Sequence, residues 1–489
     1  MSRPRTIAIT IGLMTSLLLA SLESTIIATA MPTIIADLGG LEHYSWVFAA
    51  YMVASTVTVP LFGKMADRIG RRPTYALAMI LFLAGSVLCG AATTMPALVV
   101  ARVVQGLGAG GLLPLVFTII GDSFSLEQRA RMQGVFSGVW GVSSIVGPLL
   151  GGFFVDQLSW HWIFYVNVPP GIIAAAIIWW SYRDQPRSVV RPPVDIAGAV
   201  LLSGSIVLVL LGLFDLGEPA GLPLLGGAAL SAIALVWIER RAVDPIFPIR
   251  LFGQRTFAAA CGQGLAAGFA MFGCISFVPL YARAVLGSDA TGAGVLLMPM
   301  MLGWVCSAIV AGRLMMRFAF RTLAIGGMVL LVLGSAVLAL LGAGAPQPLL
   351  VAALACMGIG MGQAIPSFLI AVQSSVARSD MGSATSAIQF TRSIGGALGV
   401  SVMGVALAAQ LDSLLRERGL APGSIDLDAA LEPATAGAAA SGALIGEAIV
   451  IVFVIAWIAA VLALLATLVA PGGRVSALRR PDAPPAEAG

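Results

Sequence analysis

The stretch Gly63-Lys64-Met65-Ala66-Asp67-Arg68-Ile69-Gly70-Arg71-Arg72 decides the fold. It joins two apolar runs, near 44–63 and 73–92. At roughly 1.5 Å per helical residue, each is long enough to cross a hydrocarbon core of about 30 Å. A related stretch, Gly312-Arg313-Leu314-Met315-Met316-Arg317 with Arg321 beyond it, follows another apolar run 249 positions later. Gly106, Gly108, Gly110 and Pro114 return as Gly358, Gly360, Gly362 and Pro366, an offset of 252. Gly134, Gly147 and Gly151 return as Gly382, Gly395 and Gly399, an offset of 248. Near-constant offsets of this size describe two parallel copies of one helical unit.

Composition sets the environment. Of 489 residues, 59% are hydrophobic and 10% charged, against about 25% charged in soluble domains. The reading is an all-α polytopic membrane protein. Fourteen apolar segments are long enough to span, near 8–35, 44–63, 73–92, 96–121, 131–156, 161–181, 196–215, 220–238, 256–285, 292–315, 322–343, 348–377, 383–410 and 445–470. The repeat divides them into a first six-helix bundle (1–182), a linker with two extra helices (183–255) and a second six-helix bundle (256–470). An outer loop, 411–444, sits within the second bundle, and a Pro- and Ala-rich tail, 471–489, is expected to be disordered. Parallel halves of this kind hold substrate and coupling sites near the midplane between them.

Basic residues orient the chain. With this helix count, 22 of the 27 Lys and Arg fall on the face of the N-terminus, and only Arg283, Arg416 and Arg418 on the other. Both termini are therefore expected in the cytoplasm, in a multi-pass inner-membrane protein. Arg3 and Arg5 precede an apolar run that continues past Ala30, too long for a signal peptide. The five cysteines are odd in number and lie in apolar runs, so free thiols are expected and no metal site. No nucleotide loop, metal-ligand cluster or nucleophile constellation appears. The expectation is no enzyme, no cofactor and no nucleic-acid partner.

Two basic residues remain inside the apolar segments, Arg102 and Arg392. One acid lies deep in the first segment: Glu23, in Leu22-Glu23-Ser24-Thr25, over about 20 Å from the start of its run. Ionisable groups at such depth are costly and mark function by default. Arg102 enters from the opposite face and reaches a similar depth. Glu23 is expected to meet Arg102, directly or through Gln105, and its protonation to release the arginine. The same residues also fit a static ion pair joining two helices. Arg392 could snorkel or line a cavity.

Several motifs resemble the major facilitator superfamily, and specifically its fourteen-helix drug:proton antiporter family. Gly63-x3-Asp67-Arg68-x-Gly70-Arg71-Arg72 resembles the superfamily's signature loop, and Arg102-x2-Gln105-Gly106-x-Gly108-x-Gly110 its fourth-helix motif. Gly147-Pro148-Leu149-Leu150-Gly151-Gly152 resembles the antiporter motif, and Trp160-His161-Trp162-Ile163-Phe164-Tyr165-Val166-Asn167-Val168-Pro169-Pro170-Gly171 the fourteen-helix branch. The family usually has Asp where Glu23 stands. The resemblance implies that Asp67 meets the helix start near Gly382-Ser383 and latches the halves on the cytoplasmic side. Arg71 and Arg72 could be no more than positive-inside anchors. The resemblance also implies export.

The leading expectation is a monomeric, proton-coupled multidrug antiporter that exports amphipathic or cationic small molecules, with protons and the lipid bilayer as its other partners. Tyr51, Phe117, Trp140, Phe269, Trp304 and Phe390 are candidates for an apolar cavity wall, although most such residues in a bundle face lipid or other helices. A dedicated exporter of an endogenous lipid, antibiotic, siderophore or amino acid is the alternative. A non-transporting sensor or scaffold is the alternative of another class.

Overall fold

The computed structural model describes residues 3–38, 44–184, 196–214, 219–242, 249–287, 290–341, 346–419 and 443–473. Most of the outer loop and of the tail, and 185–195, 215–218 and 243–248 of the linker, fall outside these residues. Among the described residues the regular structure is helical. The helices are α1 (Arg3–Leu38), α2 (Tyr44–Ile69), α3 (Arg71–Gly90), α4 (Met95–Ser123), α5 (Leu126–Gln157), α6 (Trp162–Tyr165), α7 (Val168–Ser181), α8 (Ile196–Phe214) and α9 (Gly221–Glu239). They continue as α10 (Arg255–Ala284), α11 (Ala290–Leu314), α12 (Phe320–Leu341), α13 (Gln347–Ser375), α14 (Met381–Glu417) and α15 (Val450–Leu468).

Local chemistry sets the boundaries that position the site. Gly70, with φ of 120°, makes the tight turn between α2 and α3, a conformation costly for any residue with a Cβ. Asp184 then caps α3, accepting from the backbone N–H groups of Arg71 (2.7 Å) and Arg72 (3.4 and 3.3 Å). Thr94 caps α4, and Ser125 with Gln128 forms a capping box at α5. The apolar segment 161–181 is not one helix. It breaks at Val166-Asn167, between α6 and α7, just ahead of Pro169 and Pro170.

Twelve helices among the described residues are long and apolar enough to cross a membrane. The expectation was fourteen. The two expected segments that are not among the twelve are α5 and α8.

Packing follows the glycine repeat. A Cβ on Gly106 or Gly110 of α4 would overlap the carbonyls of Tyr51 and Ser55 on α2, and one on Gly108 would overlap the α3 backbone at Phe82. Gly358 and Gly362 of α13 stand in the same way against Met300 and Trp304 of α11, and Gly360 against Gly327 of α12. α1 packs on α5 and α7, and α10 on α14 and α15. α5 lies against α11, and α2 against α14, so the halves meet along two seams. α8 and α9 pair with each other, and α8 rests on both α2 and α14. There Leu202 and Ile206 are buried with Val59, Phe390 and Ala397.

Candidate functional site

The deep acid and the deep base meet. Glu23 of α1 is 0% exposed and Arg102 of α4 is 2% exposed. Arg102 Nη1 donates to Glu23 Oε1 and to Gln105 Oε1 at 2.6 Å. Its Nε donates to the Val47 carbonyl of α2 at 3.1 Å. The guanidinium also sits 4.1 Å from the centroid of the Tyr51 ring, within the range of a cation–π contact. Gln105 is held in turn, since its Nε2 donates to Ser86 Oγ of α3 at 2.9 Å. Four helices thus converge on one buried charge pair. A buried carboxylate and guanidinium are tolerated only when paired and further hydrogen-bonded, and both are.

The second oxygen of Glu23 has a partner that the sequence reading did not single out. Asn167 Nδ2 donates to Glu23 Oε2 at 2.8 Å, with Asn167 only 2% exposed. Asn167 stands at the break between α6 and α7 and makes no side-chain cap to α7. The signal was present in Asn167-Val168-Pro169-Pro170. A capping side chain accepts from the second or third N–H of its helix, and both of those positions are proline. Asn167 therefore has nothing to cap, and its amide is available to another group.

A second cluster lies at the basic rim, where α2 turns into α3. Asp67 Oδ1 accepts from the backbone N–H of Gly382 (3.0 Å). Its Oδ2 accepts from both the N–H and the hydroxyl of Ser383 (each 2.7 Å). Those N–H groups open α14, so the carboxylate also meets the positive end of a helix dipole. Glycine is required at the crossing. A Cβ on Gly382 would lie 2.5 Å from Asp67 Oδ1, and one on Gly63 would overlap Ser386.

Arg71 is more than a rim charge. It is 5% exposed. Its Nη2 lies 3.2 Å from Asp67 Oδ1 and its Nε 3.0 Å from Asp122 Oδ2 of α4. Nη2 also donates across the seam to the Arg378 carbonyl at 3.2 Å. Tyr182 donates to Asp122 at 3.2 Å. Burial above all, then the Asp122 carboxylate, pushes the Tyr182 phenol up, so it stays a donor. Arg72 stacks 4.0 Å from the Trp179 ring, and Arg68 is half-buried beside them. Asp122, Tyr182 and Asp184 were missed from the sequence because they reach the rim from three other chain positions.

The candidate wall residues do not share one place. Tyr51 belongs to the Glu23 cluster. Phe117 is buried edge-on against Phe136, with centroids 6.4 Å apart, and its carbonyl accepts from Gln373 of the second half at 3.2 Å. Phe390 is buried beside α8. Phe269 and Trp304 pack at the edge of the second-half core, and Trp140 is 41% exposed. Arg392 is half-buried on α14 facing Gly268 of α10. In the antiporter stretch, Gly147 and Gly151 are buried in α5, whereas the surroundings of Pro148 and Gly152 are outside the described positions. α5 meets α11 at Gly141, where a Cβ would stand 3.0 Å from Val305.

Residues 13–400 match the family model described as Major Facilitator Superfamily. The chain is 36% identical over 421 residues to "Multidrug transporter protein MdtP" of Bacillus subtilis (strain 168), covering 85% of this chain and 77% of that one. It is 35% identical over 402 residues to "Multidrug resistance protein 3" of the same organism, covering 81% and 78%. Among solved structures it superimposes on the human organic anion transporter MFSD10 with a TM-score of 0.64 at 15% identity, covering 93% of this chain and 100% of that one. The last likeness concerns the fold alone. The chain belongs to the Major Facilitator Superfamily.

Proposed function

We propose that this member of the Major Facilitator Superfamily is a proton-coupled multidrug efflux antiporter that exports amphipathic or cationic small molecules by alternating access. In this reading it crosses the cell's inner membrane fourteen times, α5 and α8 included, with both termini cytoplasmic, and it works as a monomer with the proton gradient in place of a cofactor. The observation that carries the reading is the fully buried Glu23–Arg102 pair, joined to Gln105 and Ser86. A carboxylate that gains a proton there no longer balances Arg102, and the cationic side chain must find other partners. That change biases the two-state bundle. One charge moved down 100 mV supplies about 2.3 kcal/mol, enough to concentrate a substrate roughly fifty-fold. The Asp67–Gly382–Ser383 contact serves as the cytoplasmic latch, and substrate specificity follows from the cavity between the halves. Relatives named multidrug transporters support the drug-like substrate class.

The test is growth of a drug-sensitive host expressing the chain across a panel of cationic dyes and antibiotics, with and without a protonophore. Resistance that the protonophore abolishes is expected, and Glu23→Gln should remove it while the protein still inserts. Resistance indifferent to both the protonophore and Glu23→Gln would falsify the reading.

A further inference from the structure

Glu23 is held on both oxygens, and by groups of different kinds. Arg102 faces Oε1 and has only donors, five N–H bonds and no acceptor. Asn167 faces Oε2 with an amide, which carries two donors and one acceptor on the same rotor. A proton arriving on Glu23 therefore belongs on Oε2, because on Oε1 it would point at a donor. Once there, the carboxylic O–H needs an acceptor in a site with no exposure to water, and a buried donor left unpaired costs about 1–3 kcal/mol. Gln105 Oε1 is already engaged by Arg102. Asn167 Oδ1 sits one amide rotation away.

The placement of Asn167 is itself unusual. Prolines at 169 and 170 remove the N–H groups that an asparagine ahead of a helix would cap. The backbone carbonyl of Asn167 still accepts from Gly171 N at 3.1 Å, which pins the residue at the helix start. The side chain makes no cap bond to α7, while the main chain is fixed. The charged and titratable groups coupled to Glu23 among the described residues are Arg102 from α4, Tyr51 from α2 and Cys89 from α3. α5 brings Ser143 to Ser21, two residues before Glu23 on α1, and α6 brings Ile163 and Phe164.

We propose that Asn167 is the positioning residue of the coupling carboxylate, a two-state amide that donates through Nδ2 to ionised Glu23 and, after a half-turn, accepts through Oδ1 from Glu23 protonated on Oε2. This rests on the proton-coupling reading above and goes beyond it by assigning the residue that makes both protonation states habitable. The proton comes from outer water, rides on Oε2 and leaves to the cytoplasm, and Asn167 neither gains nor loses one.

The experiment is infrared difference titration of the purified full-length chain, following the C=O stretch of protonated carboxyl groups, with Glu23→Gln used to assign the Glu23 band. In the unmodified chain the band should sit at the position of a hydrogen-bonded carboxylic acid. In Asn167→Leu, close in volume but with neither donor nor acceptor, it should move to the position of a free acid, and the titration midpoint should shift. In Asn167→Asp, a second carboxylate beside the first, the midpoint should rise by about one pH unit or more, since two carboxylates so close share one proton. This variant is nearly isosteric and decides the matter if the leucine variant does not fold. A Glu23 band with unchanged position in Asn167→Leu, or an unchanged midpoint in Asn167→Asp, overturns the assignment of Asn167 alone. A pH-dependent band that survives in Glu23→Gln, with none assignable to Glu23, removes the coupling reading and the proposal with it.

Discussion

At the scale of single residues, two carboxylates removed from water have partners of different kinds. Glu23 faces a guanidinium and an amide inside one half of the molecule. Asp67 faces backbone N–H groups of the other half. Removing one member of a buried pair strands the other charge, at a cost of about 3–5 kcal/mol. Arg102→Lys keeps the charge but not the reach, because Arg102 serves Glu23, Gln105 and the Val47 carbonyl through separate nitrogens. A lysine ammonium is a single point donor group. Arg102→Lys is therefore expected to lower protonophore-sensitive dye efflux by more than about tenfold at normal expression, measured in inside-out vesicles. Efflux at half the unmodified rate or better would show that charge alone suffices. Arg71→Lys makes a comparable test at the rim. Losing the forked contacts to Asp67, Asp122 and the Arg378 carbonyl should lower the melting temperature by several degrees, read by scanning fluorimetry in detergent.

At the scale of helices, the glycine spacings that gave the repeat also report contacts. Each of Gly106, Gly108 and Gly110, and each of its counterparts Gly358, Gly360 and Gly362, meets a neighbouring backbone too closely for a Cβ. Gly110→Ala and Gly362→Ala should therefore both cost about 1–3 kcal/mol through overpacking, whereas Gly138→Ala on α5, with nothing within 4 Å of a Cβ, should be neutral. Relative thermal stabilities of the three variants check this, and equal losses in all three would contradict it. These contacts were legible because tight crossings demand small residues at a fixed period. The meeting of Glu23 with Arg102 was legible because two isolated charges in apolar segments entering from opposite faces have few places to go. The break at Asn167 was not, because hydropathy alone reads 161–181 as one continuous run. Nor was the rim cluster around Arg71. Asp122, Tyr182 and Asp184 reach it from the ends of α4 and α7 and from just beyond, and no local pattern connects those ends. The apolar wall could not be read because aromatics in a bundle have no period that separates a cavity face from a lipid face.

At the scale of the whole molecule, the two halves are joined at the basic rim. Asp67 binds the start of α14, Arg71 reaches the Arg378 carbonyl, and Gln373 reaches the Phe117 carbonyl. In the proposed reading this arrangement closes the cytoplasmic side, and alternating access requires these contacts to part. Asp67 accepts three hydrogen bonds across the seam, and bonds to a charged group contribute about 1.5–3 kcal/mol each. Even a net loss of about 3 kcal/mol would shift the balance between closed and open rims roughly a hundredfold. Ser386 reports that balance, because it is buried against Gly63 in the closed arrangement. In a chain with its five cysteines replaced, Ser386→Cys should react slowly with a membrane-impermeant maleimide added to the cytoplasmic face of inside-out vesicles. Adding Asp67→Ala should raise that labelling rate at least tenfold. Adding Glu23→Gln, which leaves residue 23 uncharged as a protonated Glu23 would be, should in the proposed reading move it in the direction that protonation does, linking the buried pair to the rim through α1, α4 and α2. Equal labelling with and without Asp67 would mean that the seam is held by shape alone, through the Gly63–Gly382 crossing and the α5–α11 contact, and that the carboxylate is an ornament of a closure decided elsewhere.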